Sequence, residues 1–339
     1  MDPVFFRAAD PELTILEESY RRVLVERFGR LTFRGIARTG KALSLPLDDV
    51  YVELKAVADV PDAADTYSAD ERRVLVEAEV RGMPDGDLRL QLDSLRVERW
   101  REQSRRGDAR MMRRSIGDAV ADPSRPGLVI LGDPGSGKTT LLHYLALCEA
   151  RKNAADPGAR LPIFVPLAAY DDWLRCRPGA LSLGDFLAAF YKDWRSLPGL
   201  GPLFRRALDD GRALVLFDGL DEVLDVTTRR HIADQVGALI QVEAPRGNRF
   251  VVTSRIVGYR EAPLPGDLPY VTVLDFGEAE IASFAHKWCE ACEVWLADGK
   301  RTDAALQQAE KEELDLLGEV RANPSVLRYA FTGCSYDLM

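Results

Sequence analysis

No uninterrupted apolar run in this chain of 339 residues approaches the roughly 20 residues that a membrane-spanning helix needs, so no membrane partner is expected. Stretches such as Gly127–Leu131 are short enough to read as buried strands. The chain does not open on a basic segment followed by an apolar core, which argues against a secretory signal. Cysteine is scarce and odd in number, at Cys148, Cys176, Cys289, Cys292 and Cys334. That argues against a disulfide scaffold and for reduced thiols in a cytoplasmic compartment. Cys289 and Cys292 form a C-x-x-C, but inside a helical pattern of Ile281, Phe284, Ala285 and Trp288. Without a second pair or a neighbouring histidine, two half-buried helix thiols are a better reading than a zinc site. An excess of positive charge is also missing: the net charge of -9 argues against indiscriminate nucleic-acid binding by the whole chain. Internal repeats and low-complexity segments are absent.

What is present is the composition of a globular protein, 46% apolar and 29% charged, at a length that suggests about two domains. Leu13, Leu16, Tyr20, Leu24 and Phe28 recur at helical spacing over residues 11–30, with Gly29 as a stop. Residues 46–57 alternate apolar and polar side chains (Val50, Val52, Leu54), which predicts an extended segment. Residues 58–70 read as a loop. Residues 92–114 read as a polar helix, rich in arginine but interleaved with Asp93, Glu98, Glu102 and Asp108, hence a solvated face; a nucleic-acid- or phosphate-contacting face is the alternative. Two prolines and a glycine make residues 122–127 a linker. Beyond it, strands at 128–131, 162–167, 213–217, 249–253 and 270–274 alternate with helices near 137–152, 181–192, 202–209 and 228–241. That order predicts an α/β fold with a parallel sheet flanked by helices on both faces. Residues 278–322 read as helical throughout.

Three segments carry chemistry. Gly132, Asp133, Pro134, Gly135, Ser136, Gly137, Lys138 and Thr139 satisfy G-x-x-x-x-G-K-[ST], with a strand before them and a helix that leaves through Thr139 and Thr140. The glycines let backbone N–H groups turn inward onto phosphate oxygens, and the helix adds its positive end. Lys138 is expected to reach the β- and γ-phosphates of ATP, and Thr139 to coordinate Mg²⁺. The second segment, Ala213 to Glu222, ends an apolar strand in Asp218 and continues Gly-Leu-Asp221-Glu222. In an open α/β sheet this delivers a carboxylate to the ligand edge, where Asp218 can hold Mg²⁺. Asp221 or Glu222 can then orient or deprotonate the attacking water, and Gly219 leaves space beside the metal. The third, Asn248 to Arg255, ends a buried strand in Thr253, Ser254 and Arg255, and that arginine can read a γ-phosphate. A surface arginine capping the strand is the alternative.

Together these segments resemble the NACHT family of STAND-type NTPases. The distinctive feature is the small residue after the magnesium aspartate and the two acids that follow, as in Asp218-Gly-Leu-Asp-Glu222. Thr253-Ser-Arg255 is similar to the family's sensor-1 strand. Asn323-Pro324 resembles the asparagine-proline of its helical domain, which makes Pro324 a candidate for packing near the base. Residues 28–54 resemble the lead-in of many bacterial members. The resemblance implies a P-loop NTPase domain over 122–276, after a mixed N-terminal region (1–121) and before a partial helical domain (277–339). Family members continue into winged-helix and sensor regions, so the chain is expected to be truncated before them. The implied function is a signalling switch cycling between ATP and ADP, with slow Mg²⁺-dependent hydrolysis and self-association on activation, used by bacterial relatives in antiphage (antiviral) defence. A mechanical ATPase of the AAA type, a nucleotide kinase and a non-hydrolysing nucleotide-binding module stand as alternatives.

Overall fold

A computed structural model describes residues 11–33, 43–58, 113–122, 125–154, 156, 158–176, 183–191, 199–266 and 268–322. Its strands are β1 (Arg30–Phe33), β2 (Leu43–Pro46), β3 (Lys55–Ala58), β4 (Arg113–Ser115), β5 (Gly127–Leu131), β6 (Leu161–Pro166), β7 (Ala213–Asp218), β8 (Arg249–Ser254) and β9 (Tyr270–Val273). β1 and β2 form a separate antiparallel hairpin, and the other seven make one sheet in the order β4-β3-β9-β5-β8-β7-β6. The five strands from β9 to β6 are parallel. β5, β6 and β7 are short, largely apolar runs buried on both faces, the pattern that parallel strands require. All five lie within one residue, at either end, of the strands read from the sequence.

Helix Lys138–Arg151 carries the crossover from β5 to β6, and helix Val226–Glu243 the crossover from β7 to β8. These crossovers run in opposite directions across the sheet, so right-handed connections put the two helices on opposite faces. Helix Pro11–Phe28 packs on helix Lys138–Arg151, placing Tyr20, Leu24 and Phe28 in the same apolar core as the sheet. Phe28 stacks on the buried His143 ring, centroids 4.3 Å apart. Helices Leu183–Phe190 and Leu200–Asp209 fill the long β6–β7 connection as the apolar spacing predicts. Helix Leu167–Cys176 in that connection, and the short helix Ile256–Glu261, were not legible in the sequence pattern.

Four expectations change. Residues 46–57 are not one extended segment: a single helical turn, Leu47–Val50, separates β2 from β3. Leu47 and Val50 are both buried, and only a helical turn puts residues three apart on one face. Arg113 and Arg114 do not end a helix but lie in β4, paired with β3; most of the expected helix, residues 92–112, lies outside the described residues, as does the loop over 59–70. β3 and β4 precede residue 122 yet extend the sheet, β3 antiparallel to β9 and β4 antiparallel to β3. Of the expected linker, Gly127 already belongs to β5 and residues 123–124 lie outside the described residues. Residues 278–322 form two helices, Glu278–Leu296 and Asp303–Ala322, packed side by side. The break falls where Asp298 and Gly299 adopt positive φ (54° and 78°), a left-handed turn that an α-helix cannot continue through. Cys289 and Cys292 lie on the first of these helices, Cys289 buried and Cys292 half-buried.

The outer strand β6 is shielded on its open side. Pro162 and Pro166 have no N–H to offer. The Tyr191 hydroxyl donates to the Phe164 carbonyl (2.6 Å) and accepts from the Phe164 N–H (3.0 Å), and the Tyr20 hydroxyl donates to the Pro162 carbonyl (2.8 Å).

Candidate functional site

Because β8 lies between β5 and β7, its last residues emerge between the loop that follows β5 and the carboxylate that ends β7. Leu131 pairs with Ser254 and Ile130 with Thr253, while Phe217 pairs with Val252 on the other side. Three sequence-distant segments thus meet at one sheet edge, all at the C-terminal ends of parallel strands.

The first contributor is the glycine-rich loop. Gly135 and Gly137 have φ of 75° and 83°, a conformation open to glycine and strained for other residues. Gly132 is needed for space instead, since a Cβ there would lie 2.6 Å from Ser136 Oγ. The loop is anchored by the Gly132 N–H donating to the Ser254 carbonyl (3.2 Å) and turned by the Ser136 N–H donating to the Asp133 carbonyl (3.1 Å). Helix Lys138–Arg151 begins after Gly137 with no side-chain cap, so its first N–H groups face the loop's concavity. Asp133, Ser136, Lys138, Thr139 and Thr140 are half-buried there, whereas Pro134 and Gly135 are exposed at the loop's crest. The Lys138 ammonium donates to the Gly132 and Asp133 carbonyls (2.9 Å each) and to Ser136 Oγ (3.3 Å). Burial pushes its pKa down, against the pull of Asp221 and Asp218.

Asp218, the second contributor, is buried, and burial pushes its carboxyl pKa up. Hydrogen bonds from Thr253 and Thr139 and the charge of Lys138 oppose that rise. The Thr253 hydroxyl donates to Asp218 Oδ1 (2.7 Å) and accepts from the Gly219 N–H (2.9 Å). Thr139 and Asp218, the two residues expected to hold Mg²⁺, are therefore in direct contact. As hard oxygen donors they suit a cation that takes one or two protein ligands and keeps its waters.

The two acids of the second segment, which look interchangeable in sequence, occupy different places. Asp221 faces inward, with both oxygens on Arg255: Oδ1 accepts from the Arg255 N–H (2.7 Å) and Oδ2 forms an ion pair with its Nε (2.8 Å). Its side chain is 8% exposed, against 54% for Arg255. Gly258 makes room for this arrangement, since a Cβ there would lie 2.4 Å from Asp221 Cβ. Glu222 is exposed, and its pKa is raised by burial of its carboxyl against the edge and by the charges of Asp218 and Asp221. Gly219 has a φ of 73°, and a Cβ on it would meet Glu222 Cδ at 2.7 Å. The Glu222 carboxyl lies against the space that Gly219 leaves.

Every candidate from the three segments stands at this edge; Pro324 lies outside the described residues. Sequence reasoning named Thr253 as the end of a strand and as part of the segment similar to sensor 1, without a role of its own. Its signal is a hydroxyl residue closing an otherwise apolar strand next to an arginine. The edge combines a phosphate-shaped backbone loop, a lysine, two hard oxygen donors, a raised carboxyl and an arginine, which is what binding a nucleoside polyphosphate and cleaving its terminal anhydride require.

Residues 127–291 match the family model of the NACHT domain, so this segment is a NACHT-type P-loop NTPase domain, a kind that binds nucleotide. An uncharacterized WD repeat-containing protein of Nostoc sp. is 27% identical over 146 residues, which make up 42% of this chain and 9% of that relative's length. Among solved structures, PCH-2 of C. elegans is similar over 85% of this chain and 75% of its own, at 10% identity and a TM-score of 0.32, a likeness too distant to bear on function.

Proposed function

Starting from a NACHT-type NTPase domain, we infer that the chain binds ATP with Mg²⁺, hydrolyses it slowly and uses the difference between ATP and ADP as a switch. The observation that carries this reading is the separation of roles at the sheet edge: Glu222 exposed with a raised pKa, Asp221 committed to Arg255. The loop N–H groups and Lys138 bind the phosphates. Thr139 and Asp218 would hold Mg²⁺, which would supply positive charge to offset that of the phosphates. Glu222 takes a proton from the attacking water as its oxygen bonds to the γ-phosphorus and the bond to the β–γ bridging oxygen breaks, releasing ADP and phosphate. Arg255 has guanidinium N–H groups beyond the Nε given to Asp221, and these meet the charge on the γ-phosphoryl group.

ADP lacks the group that Arg255 and Glu222 address, so the two nucleotides would leave the end of β8 and its following helix in different states. Signalling, self-association of the ATP form and antiphage defence follow from resemblance to bacterial family members, in a cytoplasmic setting. No helix among the described residues is long and apolar enough to cross a membrane. The test is a thermal-shift titration of wild type and Lys138→Ala with ATP–Mg²⁺ and with ADP. Nucleotide at 100 times its Kd should stabilise wild type by about 2.7 kcal/mol. Lys138→Ala should bind the triphosphate about tenfold more weakly or worse, a loss of about 1.4 kcal/mol. Equal affinity of the two proteins would remove the loop from the binding site. Tight binding without hydrolysis would leave a nucleotide-holding module.

A further inference from the structure

The geometry points to Thr253 as a positioning residue for the magnesium carboxylate, acting through Asp218 and resting on the nucleotide reading above. Thr253 is fully buried at the end of β8, one strand away from Asp218. Its hydroxyl makes two bonds that only a hydroxyl can make together, donating to Asp218 Oδ1 (2.7 Å) and accepting from the Gly219 N–H (2.9 Å). The proton direction follows from the partners: an N–H can only donate and an ionised carboxylate can only accept, so the hydroxyl hydrogen points at Asp218.

Two consequences follow. One carboxylate oxygen is fixed by a partner on a neighbouring strand, so Asp218 has one orientation toward Thr139 rather than a choice of several. Gly219, whose φ of 73° begins the turn to Asp221 and Glu222, is held by the same hydroxyl. Thr253 thus joins the carboxylate that would hold the cation to the turn that carries the acid. An outer partner that orients a ligating carboxylate raises cation affinity without touching the cation, and losing such a partner typically lowers metal affinity about 10- to 100-fold. The effect belongs to the cation-dependent part of nucleotide binding. The phosphate contacts of the loop and Lys138 do not pass through Thr253.

The experiment uses the full chain and a fluorescent ADP analogue, titrated at a series of Mg²⁺ concentrations and in EDTA, for wild type, Thr253→Val and Thr253→Ser. Valine keeps the shape and removes the hydroxyl; serine keeps the hydroxyl. In EDTA, Thr253→Val should bind the analogue within about twofold of wild type, less than 0.5 kcal/mol. The Mg²⁺ concentration giving half the maximal tightening should rise about tenfold or more in Thr253→Val and return toward wild type in Thr253→Ser. An unchanged Mg²⁺ midpoint in Thr253→Val overturns the proposal, as does an equal loss of affinity with and without Mg²⁺, which marks a purely structural residue. If Thr253→Val does not fold, Thr253→Ser decides alone: a wild-type Mg²⁺ midpoint supports the proposal and a shifted one overturns it. A wild type that binds the analogue with no Mg²⁺ dependence overturns the underlying metal reading and the proposal with it.

Discussion

The two ends of the parallel sheet both gather charge into buried surroundings, but they treat it differently. At the end opposite the nucleotide loop, Glu17 of the N-terminal helix accepts from Arg21 (2.9 Å) and, through both oxygens, from Arg212. Arg21 also donates to the Glu149 carbonyl (2.6 Å) and the Arg160 carbonyl (2.9 Å). Burial disfavours the Glu17 carboxylate, yet the two guanidiniums outweigh it and its pKa falls below the ordinary value. The hydrogen bond to Glu17 pushes the Arg212 pKa up. At the loop end the signs reverse, with Asp218 and Glu222 raised and Lys138 lowered, burial being the leading cause for each. One end has satisfied its charges internally and acts as a fastening. The other holds charges that its own neighbours do not fully compensate, which is the expected condition of a ligand site.

The comparison breaks most decisively through Glu17→Ala. Removing one member of a buried charge network should destabilise the fold by about 3–5 kcal/mol, because Arg21 and Arg212 lose their counter-charge. Chemical denaturation should show that loss while nucleotide affinity, measured where the variant is folded, stays at the wild-type value. A drop in affinity alone would mean the ends are coupled. At the loop end, Glu222→Gln should leave stability nearly unchanged and slow ATP hydrolysis about 100-fold or more, a typical loss for a general base. Phosphate release under single-turnover conditions checks this, and an unchanged rate would return the role of base to Asp221.

The smallest effect lies between the ends, at His143, whose pKa burial and the nearby Arg27 charge lower to about 3. An unfolded histidine takes a proton below a pH of about 6.5, and the folded one refuses it. Stability should therefore fall as pH drops from about 6.5 toward 3, by up to roughly 1.4 kcal/mol per pH unit from this residue. Denaturation midpoints at neutral pH and near pH 5 measure the slope, and His143→Phe should flatten it. An equal slope in that variant would assign the acid sensitivity to carboxylates such as Glu17, whose lowered pKa adds loss in the same direction at lower pH.

What the sequence disclosed divides along the range of the interactions. The five parallel strands and the glycine loop were legible because each is specified by a contiguous run: apolar residues in β5 to β9, three glycines and a lysine in the loop. The antiparallel addition of β3 was not, because Ala56 finds its partner Val273 more than half the chain away. The division of labour between Asp221 and Glu222 was hidden for the same reason. It depends on Gly258 in another segment, which alone lets Asp221 press against the helix after β8. The interruption at Asp298 and Gly299 was visible as residues but outweighed by the helical pattern on either side.

The shielded strand β6 limits how copies of this protein can meet. An edge with unpaired backbone groups invites another chain to continue the sheet, but here prolines and two tyrosine hydroxyls have taken that position. Growth by strand addition is blocked on that side, so a partner approaching from there must dock on side chains. One of the two hydroxyls comes from the N-terminal helix, so that part of the barrier depends on the helix staying in place. The docking that Glu17 and Arg21 secure therefore also keeps the Tyr20 hydroxyl over the Pro162 carbonyl at that edge.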